Sequence, residues 1–188
     1  MSQRFLAAIG GSAGVLEPLR AFFDHTPSDQ LSYVILRHLA PTHQSQLKQI
    51  LRKHSRLEII EVDRDMPLEK NKIYLMPPDK YLVISNETFH LVERNAQGPN
   101  RAVDIFFQSM AWDHGAKSIA VVLSGAGTDG TAGAKYVKEA GGMVIAQHPS
   151  SCEYPSMPMH VIESGSADEL AFPQDMPAII RKHIKEHD

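Results

Sequence analysis

Cysteine occurs once, at position 152, in a chain of 188 residues. One thiol can close no internal disulfide, and it excludes zinc sites built on paired cysteines; a reducing cytoplasm suits it. A basic excess is missing as well. The formal net charge is -3 and the pI is near 6.4, so the chain lacks the positive field that draws proteins onto nucleic acid phosphates or anionic lipid. No apolar run approaches the roughly 20 residues that span a bilayer, and Met1 to Ala8 do not have the charged-then-apolar layout of a secretory signal. Internal repeats, low-complexity tracts and linkers are absent too. What is left is an ordinary globular composition, 43% hydrophobic and 22% charged, long enough to bury a sizeable core. We therefore expect a single cytoplasmic domain over residues 1–188, with no nucleic acid partner and no membrane insertion.

The hydrophobic pattern alternates between short apolar runs and helical spacing. Phe5 to Ile9 reads as a strand that stops at Gly10-Gly11-Ser12-Ala13-Gly14, after which Val15, Leu16, Leu19, Phe22 and Phe23 recur as on one face of a helix. Pro18 falls in the first turn of that helix, where its missing N–H has no intrahelical partner to lose. Tyr33 to Leu36 reads as a second strand ending at Arg37-His38, Gln44 to His54 as a helix, and Leu57 to Val62 as a short strand. Ile73 to Met76 stops at a double proline. Tyr81 to Ser85 and Thr88 to Val92 alternate around Asn86-Glu87, which predicts an antiparallel hairpin. Helical spacing returns over Val103 to Trp112, followed by the apolar run Ile119 to Leu123, a glycine-rich turn, a helix to Ala140 and a strand over Met143 to Ala146. Gln147 to Pro158 reads as an irregular loop, and Ala178 to His187 as a final helix. Strands alternating with helices predict a doubly wound α/β fold: a mainly parallel sheet in a three-layer α/β/α sandwich, with one antiparallel hairpin. In such sheets the functional crevice lies beyond the carboxyl ends of the strands.

Three polar residues fall at those ends. Ser12 follows the first strand, His38 ends the second, and Asp129 follows Ile119 to Leu123. A serine hydroxyl needs a base to take its proton, imidazole suits that role near neutral pH, and a carboxylate on the far ring nitrogen fixes the tautomer. Gly10-Gly11-Ser12-Ala13-Gly14 also matches the G-x-S-x-G elbow. With a helix starting just after it, the N–H of Ala13 is the nearest candidate oxyanion donor, and the N–H of Ala126 is a second. The chain order Ser, His, Asp differs from the Ser, acid, His order of α/β-hydrolases.

The chain resembles the catalytic domain of CheB-type chemotaxis protein-glutamate methylesterases over almost its whole length. The resemblance rests on Ala8-Ile9-Gly10-Gly11-Ser12-Ala13-Gly14, on Arg37-His38-Leu39 with Pro41, and on Ser124-Gly125-Ala126-Gly127-Thr128-Asp129-Gly130. Ala102-Val103-Asp104, Ala146-Gln147 with Ser151-Cys152, and Met157-Pro158 add to it. It implies hydrolysis of glutamyl methyl esters on the cytoplasmic helices of chemoreceptors with release of methanol, and in some relatives deamidation of receptor glutamines. It implies neither metal nor organic cofactor. The family commonly has Thr and two glycines after the serine where this chain has Ala13, Gly14 and Val15, methionine at Ala126, and glutamine at Arg37. The differences at Ala126 and Arg37 imply a substrate groove of altered shape and charge; for a helical substrate Arg37 and Arg101 are the expected guides of nearby acidic side chains, and Met157 is expected to line the pocket. Familiar members also carry an N-terminal phospho-receiver domain. None is read in this chain, so a separate or fused regulatory domain, or a fusion to the opposing methyltransferase, is the expected source of control.

Blander readings compete. Ser12 could cap the following helix, Asp129 could cap the helix from Gly130, and His38 is one of ten histidines. His43, His54, His148 and His160 read as surface or loop residues, Cys152 as a structural loop residue, and Met157 and Met159 as pocket lining or core filling. Gly125-Ala126-Gly127-Thr128-Asp129-Gly130 fits G-x-G-x-x-G and so suggests a dinucleotide-binding domain, although Gln147-His148 stands where an acid should hold the ribose. A non-catalytic receptor-binding module is the third reading.

Overall fold

Every residue of the strands β1 (Leu6–Gly10), β2 (Ser32–Leu36), β8 (Ser118–Val122) and β9 (Met143–Gln147) is buried. Strands covered on both faces have no solvent side to mark with polar residues, so they read as unbroken apolar runs. The computed structural model describes residues 4–28, 31–37, 41–94 and 97–188, and for residues 41–45 the backbone alone. The remaining elements are α1 (Leu16–Asp24), α2 (Pro41–His54), β3 (Glu58–Glu61), β4 (Met66–Pro67), β5 (Lys72–Leu75), β6 (Lys80–Ser85), β7 (Thr88–Glu93), α3 (Ala102–His114), α4 (Thr131–Glu139), α5 (Ser156–Glu163), β10 (Glu169–Ala171) and α6 (Met176–His187).

Seven strands form one sheet in the order β10-β9-β8-β1-β2-β5-β3, every pairing parallel. Side chains alternate across each strand, so β1 sends Ala7 and Ile9 to one core and Leu6 and Ala8 to the other. On the first face α1, α2 and α6 contribute Leu19, Phe22, Phe23, Leu51, Met176 and Ile180; on the second, α3, α4 and α5 contribute Val103, Phe106, Phe107, Val137, Met157 and Val161. This is the doubly wound, mainly parallel α/β/α sandwich expected from the sequence.

The hairpin also forms as expected. β6 and β7 pair antiparallel with Ser85 opposite Thr88, and Asn86 and Glu87 make the two-residue turn with φ of 50° and 54°. Positive φ at both central positions gives a turn whose twist suits a hairpin. β4 extends the pair to a three-stranded sheet, and Leu82, Ile84 and Phe89 join the core beneath α3.

One expectation fails. The stretch Gln147–Pro158 is not irregular throughout, because α5 starts at Ser156 and runs to Glu163. Pro158 sits in its first turn, where proline is tolerated, and Met157, Pro158 and Val161 form its buried face. The short strands β4 and β10 lie in stretches where the sequence pattern predicts no strand.

His114, at the end of α3, is 1% exposed. Burial pushes its imidazole pKa below the ordinary value, against the opposing pull of the Asp113 carboxylate. The unfolded chain therefore takes up this proton more readily than the folded one, so stability present above the ordinary histidine range is lost as pH falls through it. We expect the thermal midpoint to drop between about pH 7 and pH 5, and His114→Gln to flatten part of that drop. Identical pH dependence in the variant would contradict this account.

Candidate active site

Strand order reverses between β1 and β8: from β1 the chain builds outward through β2 on one side, and β8, β9 and β10 extend the other. The strands end level there, with Gly10 paired to both Leu36 and Val122. The residues that follow β1 and β8 consequently emerge side by side at a topological switch point, where ligand crevices open in sheets of this kind.

Ser124 ties those two exits together. It is fully buried, its carbonyl accepts from the Ser12 N–H at 3.0 Å, and its N–H donates to Gln147 Oε1 at 2.8 Å. Its hydroxyl lies 2.9 Å from the Ala13 carbonyl and accepts from the Tyr154 N–H at 3.0 Å. Gln147, also fully buried, uses its other end to donate to the Ser151 carbonyl at 3.0 Å. One serine and one glutamine thus hold the loops after β1, β8 and β9 in fixed relation.

Within this frame the half-buried Ser12 hydroxyl accepts from the Ala126 N–H at 3.0 Å and donates toward Met157 Sδ at 3.4 Å. The approach is close because residue 125 is glycine: a Cβ there would stand 2.6 Å from Ser12 Oγ and 2.1 Å from Met157 Sδ. Gly14, with φ of 70°, turns the chain out of the Ser12 segment toward α1. A cleft of about 410 Å³ opens over Ser12, lined among others by Gly11, Asn100, Ala126, Asp129 and Met157.

Asp129 enters the cleft wall from the loop before α4. Its carboxylate accepts from the N–H groups of Val103 and Asp104 at 3.1 and 2.9 Å, at the start of α3. A carboxylate is favourable there, because the first N–H groups of a helix have no intrahelical acceptor. The capping alternative therefore holds in altered form. Asp129 caps α3, and the N-cap of α4 is Gly130, which makes no side-chain cap bond. Ser12 does not cap α1, whose N-cap is Val15, also without a side-chain bond. Nor is Ala13 at a helix N-terminus, since α1 begins three residues later at Leu16 and Ala13 belongs to the turn before it.

The structure thus brings together Ser12, Ala126, Asp129 and Met157. Arg37 directly follows β2 and is half-buried; burial lowers its guanidinium pKa, and its Nε has no hydrogen-bond partner among the described residues. Arg101 precedes α3, largely exposed, with its Nε 3.8 Å from Asp104 Oδ2. Neither arginine lines the cleft over Ser12. His38 lies outside the described residues, as does the side chain of His43. His54 meets Asp24 at 2.8 Å, His148 stacks on Phe172, and His160 bonds the carbonyl of Ser156. Burial pushes the Cys152 thiol up to about 11, which leaves it protonated at neutral pH. The dinucleotide reading meets two obstacles: Asp129 places a carboxylate in the would-be phosphate loop, and Gln147 is consumed by the loop scaffold. Among the described residues no cluster of three or more His, Cys, Asp or Glu could hold a metal ion, and no helix is long and apolar enough to cross a membrane.

Comparison with known proteins identifies the family and the fold. The family model of CheB methylesterase matches residues 7–180. The chain belongs to the CheB methylesterase family. The crystal structure of the Thermotoga maritima CheB methylesterase catalytic domain superposes with a TM-score of 0.88 at 30% identity, covering 97% of this chain and 98% of that one. A Geobacter metallireducens protein-glutamate methylesterase/protein-glutamine glutaminase is 28% identical over 177 residues, 92% of this chain and 49% of its own length. A putative enzyme of the same name from Leptospira interrogans is 30% identical over 165 residues, 85% of this chain and 84% of its own. The chain spans half or less of the length of the first curated relatives it matches.

In this CheB-type fold the structural roles of Ser124 and Gln147 were not evident from the sequence, although both lie in segments that resemble the family. Gln147→Leu keeps the volume but leaves the buried Ser124 N–H without its acceptor, so we expect urea unfolding to report a loss of roughly 1–3 kcal/mol. Wild-type stability in that variant would contradict the scaffold role.

Proposed function

We propose that this chain is a serine hydrolase that removes methyl groups from glutamyl methyl esters of chemoreceptors. The observation that carries the proposal is the placement of the Ser12 hydroxyl against the Ala126 N–H at the floor of a cleft whose wall includes Asp129, in a chain of the CheB methylesterase family. In this reading His38 accepts the Ser12 proton as Oγ attacks the ester carbonyl, while Asp129 orients and stabilises the imidazolium. The Ala126 N–H, which in the resting enzyme bonds Ser12 Oγ, transfers to the developing oxyanion together with the Ala13 N–H. His38 then protonates the departing methanol, and water repeats the cycle on the acyl-enzyme. No step needs a metal or an organic cofactor.

Met157 floors the acyl pocket, and Arg37 and Arg101 guide acidic side chains of the receptor helix from further out. Deamidation of receptor glutamines is the second activity, favoured by the glutaminase names of the relatives. The proposed setting is a cytoplasmic catalytic domain over residues 1–188, acting on methylated receptor helices under a separate or fused regulatory domain or methyltransferase.

Methanol release from a methylated chemoreceptor fragment tests this directly. We expect release by the wild type and a loss of at least about a thousand-fold in folded Ser12→Ala. Release should also fall as pH drops through the working pKa of His38, so a rate that stays flat well below about pH 6 would contradict that base. Equal release by Ser12→Ala, or none by either protein, would contradict the proposal.

A further inference from the structure

Asp104 is a charged residue in the first turn of α3, 8% exposed, for which the reaction above has no use. Its Oδ1 accepts from the N–H of Gly130 at 2.9 Å and from the N–H of Gly133 at 2.8 Å, at the start of α4. Asp129 does the converse, accepting from the N–H groups of Val103 and of Asp104 itself. Each acid therefore holds the backbone beside the other. The two helices meet closely at this point, since a Cβ on Gly133 would stand 2.6 Å from Phe107 Cβ and 2.9 Å from the Asp104 backbone.

Capping α4 would not by itself require a carboxylate. Serine, threonine or asparagine serves a helix N-terminus about as well, without the cost of burying a charge beside a second carboxylate. That cost is visible here: burial first, and then the neighbouring Asp129, push the Asp104 pKa up, against the Gly133 and Gly130 N–H groups and Arg101. These are the charged groups facing it, Asp129 from the loop before α4 and Arg101 from the start of its own helix. Through the Gly130 N–H the Asp104 carboxyl group instead holds the residue next to Asp129, which lines the cleft over Ser12.

We infer that Asp104 is a positioning residue of the active site, clamping the Asp129 loop in register with α3 and keeping a second carboxyl group beside Asp129. This role rests on the hydrolase reading. In the proposed reaction a negative charge at Asp104 favours the imidazolium that forms as Ser12 attacks, and the clamp holds Asp129 in the cleft wall.

The test replaces the charge while keeping an acceptor for α4. Asp104→Asn and Asp104→Ser are compared with wild type in the rate of Ser12 modification by diisopropyl fluorophosphate from about pH 5 to pH 9, and in kcat and KM for methanol release. Both neutral variants should lower the plateau rate about ten-fold and move the acid limb down by roughly half a pH unit, with KM unchanged. A cap that only stabilises the fold would lower the thermal midpoint and leave the limb in place. An unmoved limb in folded Asn and Ser variants therefore overturns the role while the hydrolase reading stands. Absence of wild-type modification overturns the hydrolase reading and this role with it.

Discussion

Gly10 pairs with Leu36 on one side and Val122 on the other, and the whole site hangs on that register. A slip of one residue in either pairing would exchange the faces of a fully buried strand, turning Ala7 and Ile9 toward α3 and Leu6 and Ala8 toward α1. Two complete hydrophobic cores thus oppose any displacement of β1 relative to its neighbours. Because the strands end level, the short distances at their exits follow with little further adjustment, including Ser12 N–H to the Ser124 carbonyl and Ser12 Oγ to the Ala126 N–H. The position of a single hydroxyl is in this sense fixed by the packing of six helices.

The polar groups around the crevice divide between two tasks. Ser124 and Gln147 are fully buried and turned inward, where their hydrogen bonds fasten loop to loop in surroundings that make an unpaired polar group expensive. Ser12, Ala126 and Asp129 face the cleft instead. Asp129 belongs to both sets, since its carboxylate satisfies the start of α3 while lining the cavity. Helix capping and exposure to the cleft do not compete at this residue; the two N–H groups that it caps also hold it in the cleft wall.

Much of this was legible in the sequence. Apolar runs without alternation announced strands buried on both faces, and glycine-rich turns after Ile9 and Leu123 marked the exits that matter. The hairpin was readable because Asn86-Glu87 separates two alternating segments. The helix α5 was not, since Pro155 and Pro158 look like loop punctuation and proline in a first turn is distinguishable only once the helix start is known. The clasp between Asp104 and Asp129 was hidden for a different reason: it joins residues about 25 apart in sequence through backbone N–H groups, which leave no trace in side-chain periodicity. Ser124 and Gln147 carried no signal beyond their presence in segments resembling the family, because a buried hydrogen-bonding hub has no spacing of its own.

The central claim is that the crevice between the exits of β1 and β8 makes the Ser12 hydroxyl nucleophilic. Peptide mapping by mass spectrometry after treatment with a fluorophosphonate tests it most directly, with protein unfolded in urea as the control. The account predicts a single phosphonylated peptide, carrying the adduct on Ser12, from the folded protein and none from the unfolded one. An unmodified Ser12 in the folded protein, or an adduct on another residue in its place, would contradict it.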